Sequence, residues 1–229
     1  MIYPVGESAI TIKLGDSINL ETHEKVVALY NAAKENPIVG VKDIIPAYST
    51  VTWVYDIAVI KKNYSVASAF KFMEQSIKKI IADEPTNRLT DQPTNRLNNR
   101  LITIPVHYNT KVGLDLENLA QQKAMSIETL ISIHTKQTYR VYLLGFLPGF
   151  AYMGSVDARI AAPRLSQPRT SIPSGSVGIA GEQTGIYPVS SPGGWNIIGR
   201  TELKLFDPEN ENPILLQVGD EVRFTVVSD

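Results

Sequence analysis

Residues 183–201 read QTGIYPVSSPGGWNIIGRT, and the reading of this stretch decides the fold of the second half of the chain. Glycine, serine and proline suit a surface loop, yet Tyr187, Trp195 and Arg200 stand among them, and 185–189 and 195–200 are short strand-capable runs. Two neighbouring segments have the same character: GFLPGFAYMG at 145–154 and PRTSIPSGSVGIAG at 168–181. Further short strands are expected at 139–144, 176–180, 214–217 and 221–227. Many short strands at close, turn-bounded intervals predict a β-barrel. Gly219-Asp220 makes a tight turn into the last of them, where Val222, Phe224 and Val226 alternate inward.

Working back toward the N-terminus, 101–108 alternates as a strand, and two helices follow. One is expected near 115–124, where Asp115 reads either as its N-cap or as a catalytic acid. The second is capped by Ser126 and runs to about 135, with Ile127, Leu130, Ile131 and His134 on one face. Between 84 and 100 lies EPTNRLTDQPTNRLNNR, in which PTNRL occurs twice. Two copies cannot stack as a solenoid, and this composition buries too little to offset ordering entropy. The segment reads as a solvated linker, or as a binding arm using Arg88, Arg96 and Arg100.

The first third reads as strands at 2–5 and 8–14, a helix at 20–35 ended by Asn36-Pro37, strands at 39–45 and 50–55, and a helix from Ser65. In the last of these, Val66, Ala69, Phe70, Met73, Ile77 and Ile80 form an apolar stripe. The order ββαββα is a two-layer α/β sandwich. If the first strand is not formed and 101–106 returns to this sheet, a ferredoxin-like βαββαβ arrangement fits equally. The expectation is therefore an α+β chain: an N-terminal α/β domain at 1–84, a linker at 85–100 and a β-barrel domain at 101–229.

Composition narrows the function. The 229 residues are 43% hydrophobic and 20% charged, with a formal net charge of -1, which gives no electrostatic reason for binding nucleic acid or an anionic membrane. No apolar run reaches the length of a membrane span, and the start of the sequence lacks a signal peptide's basic and apolar blocks, so a cytoplasmic protein is expected. Cysteine is absent, and His23, His107 and His134 are too scattered in sequence to suggest a metal site. No P-loop, no GxSxG elbow and no Ser-His-Asp order is present.

The glycine-punctuated run carries side chains that suit a polar small-molecule pocket. Arg164, Arg169 and Arg200 are planar donors for a carboxylate or phosphate; Gln183, Thr184 and Ser191 are neutral hydrogen-bonders; Phe150, Tyr152, Tyr187 and Trp195 could form walls. The alternative is structural: glycines at barrel bends, aromatics in the core, arginines capping carbonyls. His134 likewise reads either as a proton carrier or as a hydrogen-bonded packing residue.

The segments at 145–154, 168–181 and 183–201 and the closing VGDEVRF at 218–224 closely resemble the family that comprises allophanate hydrolase subunit 1, the kinase-A inhibitor KipI and the 5-oxoprolinase B subunit. The resemblance extends to GESAITIKLGDSINLETHEKVVAL at 6–29, IIPAYSTVTWVYD at 44–56 and ITIPVHYNTKVGLDLENLA at 102–120. His107 stands where the family commonly has cysteine, and Leu114 where it often has proline.

The resemblance implies an N-terminal two-layer domain and a C-terminal cyclophilin-like barrel. It also implies two partners, the 5-oxoprolinase C subunit, which is a related barrel protein similar to allophanate hydrolase subunit 2, and the A subunit. With these, members carry out ATP-dependent opening of 5-oxoproline to glutamate. Fused relatives form the carboxyl-transfer part of urea carboxylase, so an allophanate- or urea-type amide substrate is an alternative. A KipI-like inhibitor that docks on a sensor histidine kinase is another. For a lactam substrate, Tyr152, Arg169, Gln183, Thr184, Tyr187, Ser191 and Arg200 are the expected binding residues, and His134 and Arg200 the candidate catalytic ones. ATP is expected to act at the level of the complex, and the chain to be inactive alone.

Overall fold

The computed structural model describes residues 1–83 and 100–227. The chain divides into two compact units, Met1–Asn98 and Asn99–Asp229, and its architecture is mixed α+β. The PTNRL copies at 85–89 and 93–97 lie outside the described residues.

In the first unit, β1 (Ile2–Pro4), β2 (Ala9–Lys13), β3 (Val41–Ala47) and β4 (Thr50–Tyr55) form an antiparallel sheet in the order β1-β2-β4-β3. Helix α1 (Leu20–Glu35) starts where the Asn19 side chain accepts the Thr22 amide at 2.8 Å. It stops at Asn36, ahead of Pro37. Val26, Leu29 and Ala33 of α1 meet Ile10, Val51 and Trp53 of the sheet, and Met73 and Ile77 come from α3 (Ala69–Asp83). This is the expected two-layer sandwich, with one helix more than expected. Asp56 accepts the amides of Ala58 and Val59 and opens α2 (Ile57–Tyr64). Ser65 is the left-handed C-cap of α2 (φ 52°), so the helix expected from Ser65 starts instead at Ala69.

In the second unit, β5 (Leu101–Val106), β6 (Thr138–Leu144), β7 (Ala151–Gly154), β9 (Ser176–Ala180), β10 (Gln183–Ile186), β12 (Asn196–Arg200) and β13 (Glu221–Val226) form one sheet in the order β12-β9-β10-β7-β6-β13-β5. Strand β5 pairs in parallel with β13, so the ferredoxin-like alternative is excluded. The two ends of the order meet: the His107 amide donates to Arg200 O at 2.8 Å, and the Arg200 amide to His107 O at 3.0 Å. This bridge closes the sheet into a barrel and leaves few free edges. Two short strands, β8 (Arg169–Ile172) and β11 (Ser191–Gly193), form a separate ribbon. The expected strand at 214–217 is reduced to one bridge between Phe206 and Ile214.

The barrel core gathers Ile104, Val141, Met153, Val177, Ile179, Ile198, Val222 and Phe224. Helix α4 (Leu116–Gln122) adds Leu116 and Leu119, and α5 (Ile127–Lys136), capped by Ser126, adds Leu130, Ile133 and His134. Arg100 forks onto the buried Asp220 (Nε at 2.9 Å, Nη2 at 2.5 Å) and donates to Leu215 O, while Asp220 also takes the Gln217 amide at 2.7 Å. The last residue of the expected linker is thus a structural staple at the base of β5.

Candidate functional site

The pleat of the barrel strands sorts the expected site residues onto two faces, because successive side chains of a strand point to opposite sides. On β10, Thr184 and Ile186 turn into the barrel core, while Gln183 and Gly185 turn outward. On β7, Ala151 and Met153 belong to the core, while Tyr152 packs with a second, outer cluster. Gln183 and Thr184 therefore cannot line one pocket.

The outer cluster explains the glycine pattern. Gly178 and Gly185 are cross-strand partners on β9 and β10. A Cβ on Gly185 would lie 2.9 Å from Ala151 O, 3.1 Å from Phe150 Cζ and 3.2 Å from Trp195 Cζ3, and one on Gly178 would lie 3.1 Å from Trp195 Cβ. The two glycines make a flat bed on which Phe150 and Trp195 sit edge to face, 5.4 Å between centroids. Tyr187 meets Phe150 at 5.2 Å, and Tyr152 meets Phe150 at 4.8 Å. Ile172 of β8 packs on this cluster, so the ribbon covers it. Phe150, Tyr187 and Trp195 are almost fully buried, which makes them the support of the face, while Tyr152 is half-buried at its margin.

The Tyr187 hydroxyl lies within reach of the charges of two arginines. Gly193 lies so close that a Cβ there would overlap this oxygen. Burial pushes the hydroxyl above its ordinary pKa, opposed by a hydrogen bond from the Trp195 amide and by the positive fields of Arg164 and Arg169. Arg164 is exposed, and its backbone is fixed on both sides: Asn196 Nδ2 donates to Pro163 O at 2.8 Å and the Leu165 amide to Gly194 O at 2.7 Å. Arg169 is held by Asp115, with Nη1 at 2.9 Å from Oδ2 and Nη2 at 2.6 Å from Oδ1. Asp115 occupies the N-cap position of α4 but makes no side-chain cap bond; its carboxylate is buried under Arg169 and also takes the Ile197 amide at 2.7 Å. Sequence reasoning missed this pairing, since 54 residues separate the partners and no local spacing signals it.

The remaining expected residues lie elsewhere. Arg200 is exposed at the far end of β12, where its Nε donates to Ser174 O at 2.9 Å. Ser191 is buried and donates to Pro192 O at 3.2 Å. Thr184 and His134 are fully buried in the core. Thr184 Oγ1 donates to Gly178 O at 3.0 Å, so its one proton is taken, and the 3.0 Å contact to His134 Nε2 requires the imidazole to donate there. Nδ1 then accepts from the Tyr108 hydroxyl at 2.9 Å. Burial lowers the imidazole pKa to about 3, so the ring is neutral at physiological pH. Phe224 stacks on it at 4.7 Å, and Tyr139 donates to His134 O. Among the described residues no group of three or more histidines and carboxylates gathers that could hold a metal ion. No helix among them is long and apolar enough to cross a membrane.

Residues 1–216 match the family described as carboxyltransferase domain, subdomain C and D. Two relatives are named as the B subunit of 5-oxoprolinase. The one from Bacillus subtilis is 42% identical over 230 residues, covering 100% of this chain and 93% of its own length. The one from Escherichia coli O157:H7 is 35% identical over 223 residues, covering 97% and 94%. Among solved structures, a conserved uncharacterized protein from Pyrococcus horikoshii is 40% identical, with a TM-score of 0.56 over 100% of this chain and 98% of that one.

Proposed function

This chain belongs to the carboxyltransferase-domain family, subdomains C and D, and on that premise we propose that it is the B subunit of an ATP-dependent 5-oxoprolinase. The observation that carries the reading is the 42% identity to a protein of that name along essentially the whole of both chains. The proposed reaction opens the lactam of 5-oxoproline to glutamate, with ATP hydrolysis overcoming the inertness of the amide. The name implies companions, and we assign these as the A and C subunits, which join this chain in the cytoplasm. The sequence carries no P-loop pattern, so ATP use is assigned to the assembly, and the chain alone is expected to be inactive.

The substrate makes simple demands. Its carboxylate needs a fixed cation, and its lactam oxygen needs donors that strengthen as negative charge develops. The outer face of the second unit supports this assignment: Tyr152 is half-buried in the aromatic cluster with Tyr187, whose hydroxyl feels the charges of Arg164 and Arg169, and Gln183 is half-buried at the start of β10 on the same side of the sheet. Thr184, Ser191 and His134 would contribute by holding the strands beneath, since their side chains are buried. Arg200 would act separately from that face. The genetic test is direct: cells lacking this chain accumulate 5-oxoproline and recover when the wild-type chain is restored. Unchanged 5-oxoproline levels in the deletion overturn the reading.

A further inference from the structure

Asp115 joins three elements. Its amide donates to Ile197 O at 2.8 Å while its carboxylate accepts the Ile197 amide at 2.7 Å, a reciprocal lock between the start of α4 and β12. The same carboxylate receives two parallel bonds from Arg169 on β8. This fork-to-carboxylate geometry fixes a guanidinium in orientation as well as position. One N–H on each terminal nitrogen is used, so of the five guanidinium donors three remain for another acceptor. The Arg169 side chain is 29% exposed and Asp115 7%, so the pair presents the arginine and hides the carboxylate. Asp115 also cancels most of the charge of Arg169. Arg164 has no carboxylate partner among the described residues, and the Leu165 to Gly194 bond holds it at the same ribbon, where Gly193 pairs with Arg169.

We infer that Asp115 is a positioning residue that orients Arg169 so that its free N–H donors, together with the uncompensated charge of Arg164, receive the carboxylate of a small monoanionic substrate. The inference rests on the 5-oxoprolinase reading. It separates two roles that the sequence assigns to arginines in general: Arg169 supplies direction, and Arg164 supplies net charge.

The test is steady-state kinetics on the assembly with its partner proteins, carrying Asp115→Asn, Arg169→Gln, both together, or Arg164→Gln, with thermal midpoints measured in parallel. Asn keeps an acceptor for the Ile197 amide but loses the ion pair. Asp115→Asn, which frees the guanidinium to turn away, and Arg169→Gln, which removes it, should each raise KM for 5-oxoproline about tenfold while kcat changes far less, as expected when a ground-state contact to the substrate carboxylate is lost. The double variant should match Arg169→Gln alone, because the two residues act as one unit. Arg164→Gln should raise KM by a similar factor without changing the midpoint. A wild-type KM in Asp115→Asn or Arg169→Gln, or effects that multiply in the double variant, overturns the inference. If Asp115→Asn fails to assemble, Arg169→Lys carries the decision, because it keeps the charge but cannot be held by the two-bond fork; a wild-type KM there overturns the inference. A wild-type assembly that does not turn over 5-oxoproline overturns the function reading and this assignment with it, a result distinct from an active assembly whose KM ignores the pair.

Discussion

His134 carries two opposite sequence signals, an acid–base side chain and a place on an apolar helix face, and burial decides between them. A ring with no exposed surface, both nitrogens bonded and a pKa near 3 does not exchange protons near neutrality. It does couple stability to pH. The folded pKa lies below the unfolded value of about 6.5, so the unfolded chain binds the extra proton. The contribution is therefore complete above pH 6.5 and is lost as pH falls from there toward 3, at about 1.4 kcal/mol per pH unit. Urea unfolding followed by Trp195 fluorescence in a Trp53→Phe background should show stability falling between pH 7 and 5, with about 2 kcal/mol of the fall absent from His134→Asn. An equal fall in both proteins contradicts the buried neutral ring. Thr184→Val should cost about 1–3 kcal/mol at pH 7, because it leaves the buried His134 Nε2–H without an acceptor.

Elements were legible where their signals are local. The strand expected at 176–180 is observed with those bounds, flanked by Gly175 and Gly181, both at positive φ (81° and 60°). Helix α1 was legible at both ends, through its periodic apolar face and through Asn36-Pro37. Helix α2 was missed because it is eight residues long with only Ile60 buried, although the Asp56 cap was there to be read. Strands β7, β8 and β11 were missed for a different reason. Each is three or four residues, and the partners of the ribbon, Ser191 with Ile172 and Gly193 with Arg169, are set by the fold rather than by spacing. Gly178 and Gly185 allow close approach, and what approaches is aromatic ring and neighbouring backbone. Gly185→Ala should therefore destabilise the second unit by about 1–3 kcal/mol through overpacking and shift the Trp195 emission. An unperturbed spectrum and midpoint would show that Phe150 and Trp195 do not rest on this glycine.

At the scale of the whole molecule, the barrel closes through bonds between distant segments: His107 with Arg200, Arg100 with Asp220, and Arg169 with Asp115. None has a local signature, and together they convert a list of short strands into a closed sheet with a covered outer face. Asp220→Ala should be among the more damaging substitutions, at about 3–5 kcal/mol, because a buried carboxylate with an arginine fork and a backbone amide loses all its bonds at once. Urea unfolding tests this beside Arg100→Ala, which leaves the buried Asp220 carboxylate without its cation and should cost a similar amount; a wild-type midpoint in either variant contradicts the staple. The function rests on the same scale, on likeness along the full chain to proteins named as the 5-oxoprolinase B subunit. The most direct measurement is release of glutamate and ADP from 5-oxoproline and ATP by this chain mixed with the proposed partners, the A and C subunits, each protein omitted in turn. The account predicts coupled release of both products only when all three are present. Full activity without this chain, or an assembled complex that makes no glutamate, would contradict it.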